Sequence, residues 1–255
     1  MFKTISKLMV SIFFLSSCTT LSCVLPVEKN ASLSSILPRH SFVKIERIAK
    51  VKICSPLDAE DCVESKMGSS GSGFVIKNDD EGSYIMTAAH VCDTGDTNLA
   101  LMFPGSKISK FSFTIIDLDG IKYSAETIKM DKKRDMCIAY VYSLAKPPVK
   151  LAYYPPRPGD VAYNTAAPVG VFDTNMVPIL SGYYSGEKLG MAIYTIPVVG
   201  GSSGSPVLNQ SGELIGMIHS AHIRFHHLSL SPTHRQITEF IRLNTKRRAS
   251  DNLID

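Results

Sequence analysis

The sequence lacks an apolar run long enough to cross a bilayer, which would need about 20 residues. The apolar stretch at residues 8–15 is much shorter and follows Lys3 and Lys7. A short apolar core behind positive charges is typical of an export signal. Residues 15–18, Leu-Ser-Ser-Cys, also resemble a lipobox, so we expect residues 1–23 to form a signal peptide and lipobox region, with Cys18 as the lipidation site. The alternative is a plain secretory signal.

The sequence also has only a small excess of positive over negative charge. The formal net charge is +4 over 255 residues, which is too little to indicate a nucleic-acid partner. Lys246, Arg247 and Arg248 are interpreted as solvated cations at the end of a final helix, where positive charge favours the helix dipole.

Patterns that bind metal ions are missing. The sequence contains no Cys-x-x-Cys pair and no zinc-ligand spacing. His222, His226 and His227 cluster together but lack partners at ligand spacing, so we expect them to be exposed or at the rim of a pocket. The sequence therefore predicts no metal site and no cofactor.

The 6 cysteines suit an oxidising compartment. If Cys18 is lipidated or removed with the signal, an odd number remains, so at least one is unpaired or pairs outside the chain. Cys54 and Cys62 bracket a polar loop and are the best candidates for a disulfide. The pairing of Cys23, Cys92 and Cys137 is left open.

Short apolar runs separated by turn residues fill most of the chain, and their spacing favours antiparallel barrels over alternating strands and helices. A proline-rich stretch without apolar periodicity divides the runs into two sets. Ser231 and Pro232 open a final helix, as N-cap and first helical residue. The predicted organisation is a tether (24–40), a first barrel (41–146), a linker (147–160), a second barrel (161–230), a helix (231–246) and a tail (247–255).

Three separated motifs supply the residue types of nucleophilic acyl transfer. Residues 87–90, Thr-Ala-Ala-His, put His90 at the end of a strand-like run, and Asp135 opens a later apolar run. Residues 201–206, Gly-Ser-Ser-Gly-Ser-Pro, form a glycine-rich turn that presents a serine. These motifs, in the order His, Asp, Ser, resemble the chymotrypsin-like (trypsin-like) serine endopeptidases, especially their bacterial branch with the glutamyl endopeptidases and Deg/HtrA-type proteases.

This resemblance implies an all-β fold of two antiparallel six-stranded β-barrels with a C-terminal α-helix. It assigns Ser203 as nucleophile, His90 as its general base and Asp135 as the carboxylate that orients the base. The N–H groups of Gly201 and Ser203 would form the oxyanion hole, which Gly201 permits by turning the backbone tightly. No PDZ-like extension follows residue 246, so we expect the oligomer-forming machinery of full Deg-type proteins to be absent.

Two features of the sequence compete with this assignment. Residues 200–204 also fit Gly-x-Ser-x-Gly, the nucleophile elbow of α/β-hydrolases, with Ser202 as nucleophile. That elbow requires a helix after the serine, whereas Pro206 and a hairpin follow here. Other aspartates could also take the place of Asp135, namely Asp93, Asp96, Asp117 and Asp119.

The primary specificity pocket is expected just before Gly201 and along the strand that follows Gly216. The pocket residues predicted on this basis are Pro197, Val198, Val199, Ile218 and His219. None is an acid, which argues against an Arg/Lys-directed pocket and favours a small or medium apolar side chain. A Glu-directed pocket is the alternative, but Ile218 occupies the slot of the glutamyl endopeptidase histidine, and His219 would instead fall near Asp135.

The sequence as a whole predicts an exported serine endopeptidase that hydrolyses peptide bonds through an acyl-enzyme. Its partner would be a polypeptide substrate, and its location the cell envelope, lipid-anchored or periplasmic, or the exterior. One alternative is a catalytically latent pseudo-protease acting as an envelope binding module. A second is an esterase-like hydrolase using the same site. The oligomeric state is not predicted.

Overall fold

The computed structural model describes residues 32–54, 62–93, 107–222 and 224–245. The predicted signal and lipobox region with Cys18, the tail, Cys23 and Asp96 lie outside these residues. Within the described ranges, no helix is both long and apolar enough to cross a membrane.

Seven antiparallel strands form the first sheet, in the order β5-β4-β1-β2-β3-β7-β6. The strands are β1 (Phe42–Cys54), β2 (Cys62–Asn78), β3 (Gly82–Thr87), β4 (Lys107–Asp117), β5 (Lys122–Ser124), β6 (Glu126–Asp131) and β7 (Met136–Tyr142). Every residue of β3 is buried, as are the first six of β7. These two strands therefore form the interior wall of the first sheet.

The second sheet repeats this plan, in the order β12-β11-β8-β9-β10-β14-β13. Its strands are β8 (Val161–Thr165), β9 (Ile179–Lys188), β10 (Met191–Tyr194), β11 (Pro206–Leu208), β12 (Leu214–Met217), β13 (Ser220–His222) and β14 (Phe225–Pro232). Within the described residues, three α-helical segments accompany the sheets: α1 (Leu33–Ile36), α2 (Ala89–Cys92) and α3 (His234–Asn244).

Each sheet is curled so that its two edge strands are neighbours along the chain. Only Ala125 separates β5 from β6, and only Ile218 and His219 separate β12 from β13, yet the members of each pair lie at opposite edges. The expected all-β double-barrel architecture is thus confirmed. Seven strands appear where six were expected because in each barrel one bent segment supplies both edge strands, β5 and β6 in the first and β12 and β13 in the second.

The predicted start of the final helix is wrong. Thr233, not Ser231, is the N-cap: its side chain accepts from the Gln236 amide, while the Gln236 side chain accepts from the Thr233 amide. Ser231 and Pro232 belong to β14, where Pro232 pairs with Met191 of β10. Sheet pairing therefore overrides the local helix-start signal, and the Ser231 hydroxyl instead accepts from the Met217 amide at 2.9 Å.

Two disulfides lie within the first sheet and its connections. Cys54 and Cys62, the predicted pair, join the ends of the long β1–β2 hairpin, which confirms that prediction. Cys92 at the end of α2 pairs with Cys137 in β7. The sequence left this second pairing open.

Helix α3 closes the main core with one face. Ile237 and Phe240 belong to the same buried cluster as Phe74 of β2 and Met217 of β12. Leu243 of the same helix is 51% exposed, whereas Phe240 is 7% exposed.

These exposures predict unequal effects of truncating the two side chains. Phe240→Ala should lower the free energy of unfolding by about 3–4 kcal/mol, because it opens a cavity in a core shared by both sheets. Leu243→Ala, the matched control on the same helix, should change it by less than about 0.5 kcal/mol. Equilibrium urea unfolding measures both, and equal losses would show that α3 does not close the core in this way.

Candidate active site

His90 and Asp135 form a doubly hydrogen-bonded pair. His90 Nδ1 lies 2.7 Å from Asp135 Oδ2, and the His90 backbone N–H donates to Oδ1 at 2.9 Å. His90 occupies the single turn of α2 directly after β3, and Asp135 lies in the turn between β6 and β7. The Asp135 backbone is left-handed, with φ of 55°. This conformation is uncommon for any residue except glycine, asparagine and aspartate.

The Asp135 carboxylate is shaped by opposing electrostatic effects. Burial favours its neutral form, but the hydrogen bonds and charge of His90 outweigh burial and hold the pKa of Asp135 below its ordinary value. His219 Nδ1 lies 3.7 Å from the same carboxylate. Burial lowers the pKa of His219, although the Asp135 charge opposes this shift. The carboxylate thus lies between two imidazoles, of which only His90 hydrogen-bonds to it.

Ser203 lies in a tight turn between β10 and β11. Gly201 and Gly204 have φ of 95° and 86°. A Cβ on Gly201 would approach Ala167 O to 2.3 Å, and one on Gly204 would approach Thr87 Oγ1 to 2.1 Å. Both positions therefore require glycine, for conformation and for space.

The amides of this turn divide into two groups. Those of Ser202, Gly204 and Ser205 donate to backbone carbonyls, at 3.0, 2.6 and 3.1 Å. The amides of Gly201 and Ser203, by contrast, have no acceptor within the described part of the chain. These two are the donors that an oxyanion hole requires.

Ser72 of β2 connects this turn to the first barrel, and the sequence reasoning missed it. Its amide donates to Ser203 O at 2.8 Å, and its hydroxyl donates to Gly201 O at 2.8 Å. The hydroxyl also accepts from the Ala167 amide at 3.1 Å. The available signal was a serine between two glycines, 71 and 73, within a strand, a pattern that indicates close approach of another backbone.

Comparison with known proteins decides the family. A family model described as a trypsin-like peptidase domain matches residues 71–217, more than half of the chain. That range includes His90, Asp135, Ser203 and Ser72. The chain belongs to the trypsin-like peptidase family.

Similar proteins agree with this assignment. Serine protease HTRA1 of Xenopus tropicalis is 30% identical over 158 residues, and serine protease HTRA3 of Homo sapiens is 30% identical over 159 residues. Each alignment covers 58% of this chain but only 30% and 32% of the relative, so the chain spans about a third of these proteins. A serine endoprotease structure from Yersinia pestis superposes with a TM-score of 0.57 at 15% sequence identity. The match covers 81% of this chain and 63% of the Yersinia chain, which supports the fold.

A cavity of about 300 Å³ opens beside Ser203. Of the predicted pocket residues, Val198, Val199 and Ile218 line it, whereas Pro197 and His219 do not. Ser220 and Ala221 of its wall lie in the strand that was expected to line the pocket. His226, expected to be exposed or at the rim of a pocket, also lines it, whereas Ser202 was not predicted as a wall residue. His219 lies instead beside Asp135, near which the sequence analysis expected it to fall.

The competing aspartates have other partners. Asp93 pairs with Lys132 at 2.7 Å. Asp117 is fully buried and accepts from the Asp119 and Ile121 amides, and Lys146 contacts both Asp117 and Asp119. The contacts of Asp117 and Asp119 stabilise a turn after β4, and none of them involves His90.

The α/β-hydrolase elbow finds no support in this trypsin-like turn. Strand β11, not a helix, follows the serines. Ser202 is 1% exposed, and its hydroxyl has no hydrogen-bond partner among the described residues. The described part of the chain also contains no cluster of residues that could hold a metal ion, and His222, His226 and His227 are exposed.

The glycine geometry predicts a sharp contrast within the serine turn. Gly204→Ala should lower the free energy of unfolding by about 2–4 kcal/mol, because it combines a left-handed backbone with contacts near 2 Å. Gly200→Ala is the matched control, since a Cβ there meets nothing within 4 Å. Urea unfolding of both variants provides the comparison. A Gly204→Ala protein as stable as the control would contradict the turn geometry.

The depressed pKa of Asp135 predicts a pH-dependent contribution to stability. Ionised Asp135 contributes its full stabilisation at pH values above the pKa of this group in the unfolded chain, about 4. The contribution is lost as the pH falls through the lower pKa of the folded state. The difference in unfolding free energy between the wild type and Asp135→Asn should therefore shrink as pH falls from 6 toward 2. Urea unfolding across this range measures the difference, and a constant value would argue against a stabilised carboxylate.

Proposed function

We propose that the protein is a serine endopeptidase with a triad of Ser203, His90 and Asp135. The observation that carries this proposal is the 2.7 Å hydrogen bond between His90 Nδ1 and Asp135 Oδ2, in a chain of the trypsin-like family. It leaves the other ring nitrogen, Nε2, to accept the Ser203 proton. The unpaired amides of Gly201 and Ser203 add the donors that the reaction needs beside the nucleophile.

Hydrolysis would proceed in two halves. Ser203 Oγ attacks the scissile carbonyl carbon while His90 takes the hydroxyl proton, and the Gly201 and Ser203 amides bind the oxygen that becomes negative. The C–N bond then breaks, His90 returns the proton to the leaving amine, and an acyl-enzyme remains. Water then loses a proton to His90 as it attacks the ester carbonyl carbon. The ester C–O bond breaks, the new carboxyl product leaves, and His90 returns the proton to Ser203 Oγ. No step requires a cofactor.

The cavity beside Ser203 supports an apolar preference at the residue before the scissile bond. Val198, Val199, Ile218 and Ala221 contribute apolar wall, and no acidic residue lines the space. Its volume of about 300 Å³ is enough to admit an aliphatic side chain. The substrate would therefore be a polypeptide cleaved after such residues.

The two disulfides support export, because such bonds persist in oxidising compartments. We accordingly place the protein in the cell envelope or outside the cell, with the export signal in residues 1–23. Attachment through a lipid on Cys18 belongs to the same proposal.

A latent binding module is the second candidate, and one observation favours it. Among the described contacts, no hydrogen bond joins the Ser203 hydroxyl to His90. In unliganded enzymes this contact is often long and tightens only when substrate binds. The experiment below separates the two functions.

Labelling with a fluorophosphonate probe tests the proposal. The wild-type protein should be labelled and should hydrolyse a peptide with an apolar residue before the scissile bond. Ser203→Ala should abolish labelling and lower kcat on the order of 10⁶-fold, because it removes the nucleophile. Ser202→Ala is the matched control and should keep both activities.

Three other results would each favour a different nucleophile or function. Loss of labelling only in Ser202→Ala would restore the elbow assignment. Absence of labelling in well-folded wild-type protein would favour the latent binding module. Labelling with hydrolysis of esters but not of peptides would indicate an esterase-like enzyme.

A further inference from the structure

The Cys92–Cys137 disulfide joins the two elements that carry the candidate base and its carboxylate. Cys92 lies two residues after His90 at the end of α2, and Cys137 lies two residues after Asp135 in β7. The two cysteines are 2% and 0% exposed. The bond is therefore an internal connection beneath the site.

The segment from Thr87 to Cys92 is attached to Cys137 at both ends. Thr87 pairs with Cys137 across β3 and β7, and Cys92 is bonded to its sulfur. On its other side, Cys137 pairs with Met130 of β6. His90 thus lies in a small loop that is closed at Cys137, and Cys137 is itself held between strands β3 and β6.

Helix α2 needs such an anchor because it is only four residues long and has no side-chain N-cap. A single helical turn is not stable through its own hydrogen bonds. Arg47 supplies one support from β1, since its guanidinium donates to His90 O at 3.1 Å and also to Asp93 O. The Cys92–Cys137 disulfide supplies a second, covalent support.

We propose that the Cys92–Cys137 disulfide is a positioning device that holds His90 in hydrogen-bonding geometry with Asp135. Its importance for catalysis rests on the proposed function, in which His90 is the general base. Neither cysteine touches substrate in this proposal, so substrate binding does not depend on the bond. Loss of the disulfide should affect the chemical step, because catalysis depends on the relative placement of the reacting groups.

The test compares two disulfide deletions in the full chain. Cys92→Ala/Cys137→Ala should lower kcat for peptide hydrolysis about 10- to 100-fold with KM unchanged. Cys54→Ala/Cys62→Ala, which removes the hairpin bond, is the matched control and should keep wild-type kcat and KM. Assays are run at a temperature at which circular dichroism shows both variants to be folded. If the first variant does not fold, Cys92→Val/Cys137→Ala, which refills part of the lost volume, takes its place.

A second readout does not require activity. The proton between His90 Nδ1 and Asp135 gives a low-field ¹H NMR resonance, which should persist in the control and be lost or broadened when Cys92 and Cys137 are replaced. Retention of this resonance together with the control's kcat would overturn the proposal, and so would a higher KM with the resonance intact. If wild-type protein fails to hydrolyse peptides, the proposed function fails, but the resonance alone still decides whether the disulfide positions His90.

Discussion

The hydrogen bonds of Ser72 connect the two barrels at the point where the candidate nucleophile must be held. Its amide and hydroxyl bind the carbonyls of Ser203 and Gly201, and its hydroxyl accepts from Ala167. The carbonyls of Gly201 and Ser203 are thus held, while the amides of the same two residues have no acceptor within the described part of the chain. These bonds favour one conformation of the turn, since any alternative would leave the buried amide and hydroxyl of Ser72 without partners.

The bend that closes the second barrel serves the same turn. Ile218, at this bend, accepts from the Gly204 amide and donates to Ser205 O. Its neighbour His219 lies beside Asp135 of the first barrel. The break between β12 and β13 therefore does two things at once: it lets the sheet curl upon itself, and it brings one residue to each part of the candidate site. The bend that closes the second barrel therefore also brings Ile218 to the serine turn and His219 to Asp135.

The sequence predicted those features that depend on local chemistry. The motif predicts a tight turn at Gly201, whose backbone is left-handed in the structure, and Cys54 and Cys62 are close enough along the chain to pair across a hairpin. Features that depend on distant partners were missed. Nothing local to Ser72 states that it faces the serine turn, and nothing near Cys92 names Cys137. The helix start failed for a related reason, because Ser231 and Pro232 have a good local signal but are held by pairing with β10.

The distribution of cross-links has a consequence for how the two barrels respond to reduction. All four disulfide cysteines of the described residues lie between Phe42 and Tyr142, in the first barrel. The serine turn of the second barrel is held to the first by non-covalent contacts, namely the hydrogen bonds of Ser72 and the core that both sheets share. A thiol reductant therefore acts directly on the half that carries the histidine and aspartate, and it reaches the serine only through these contacts.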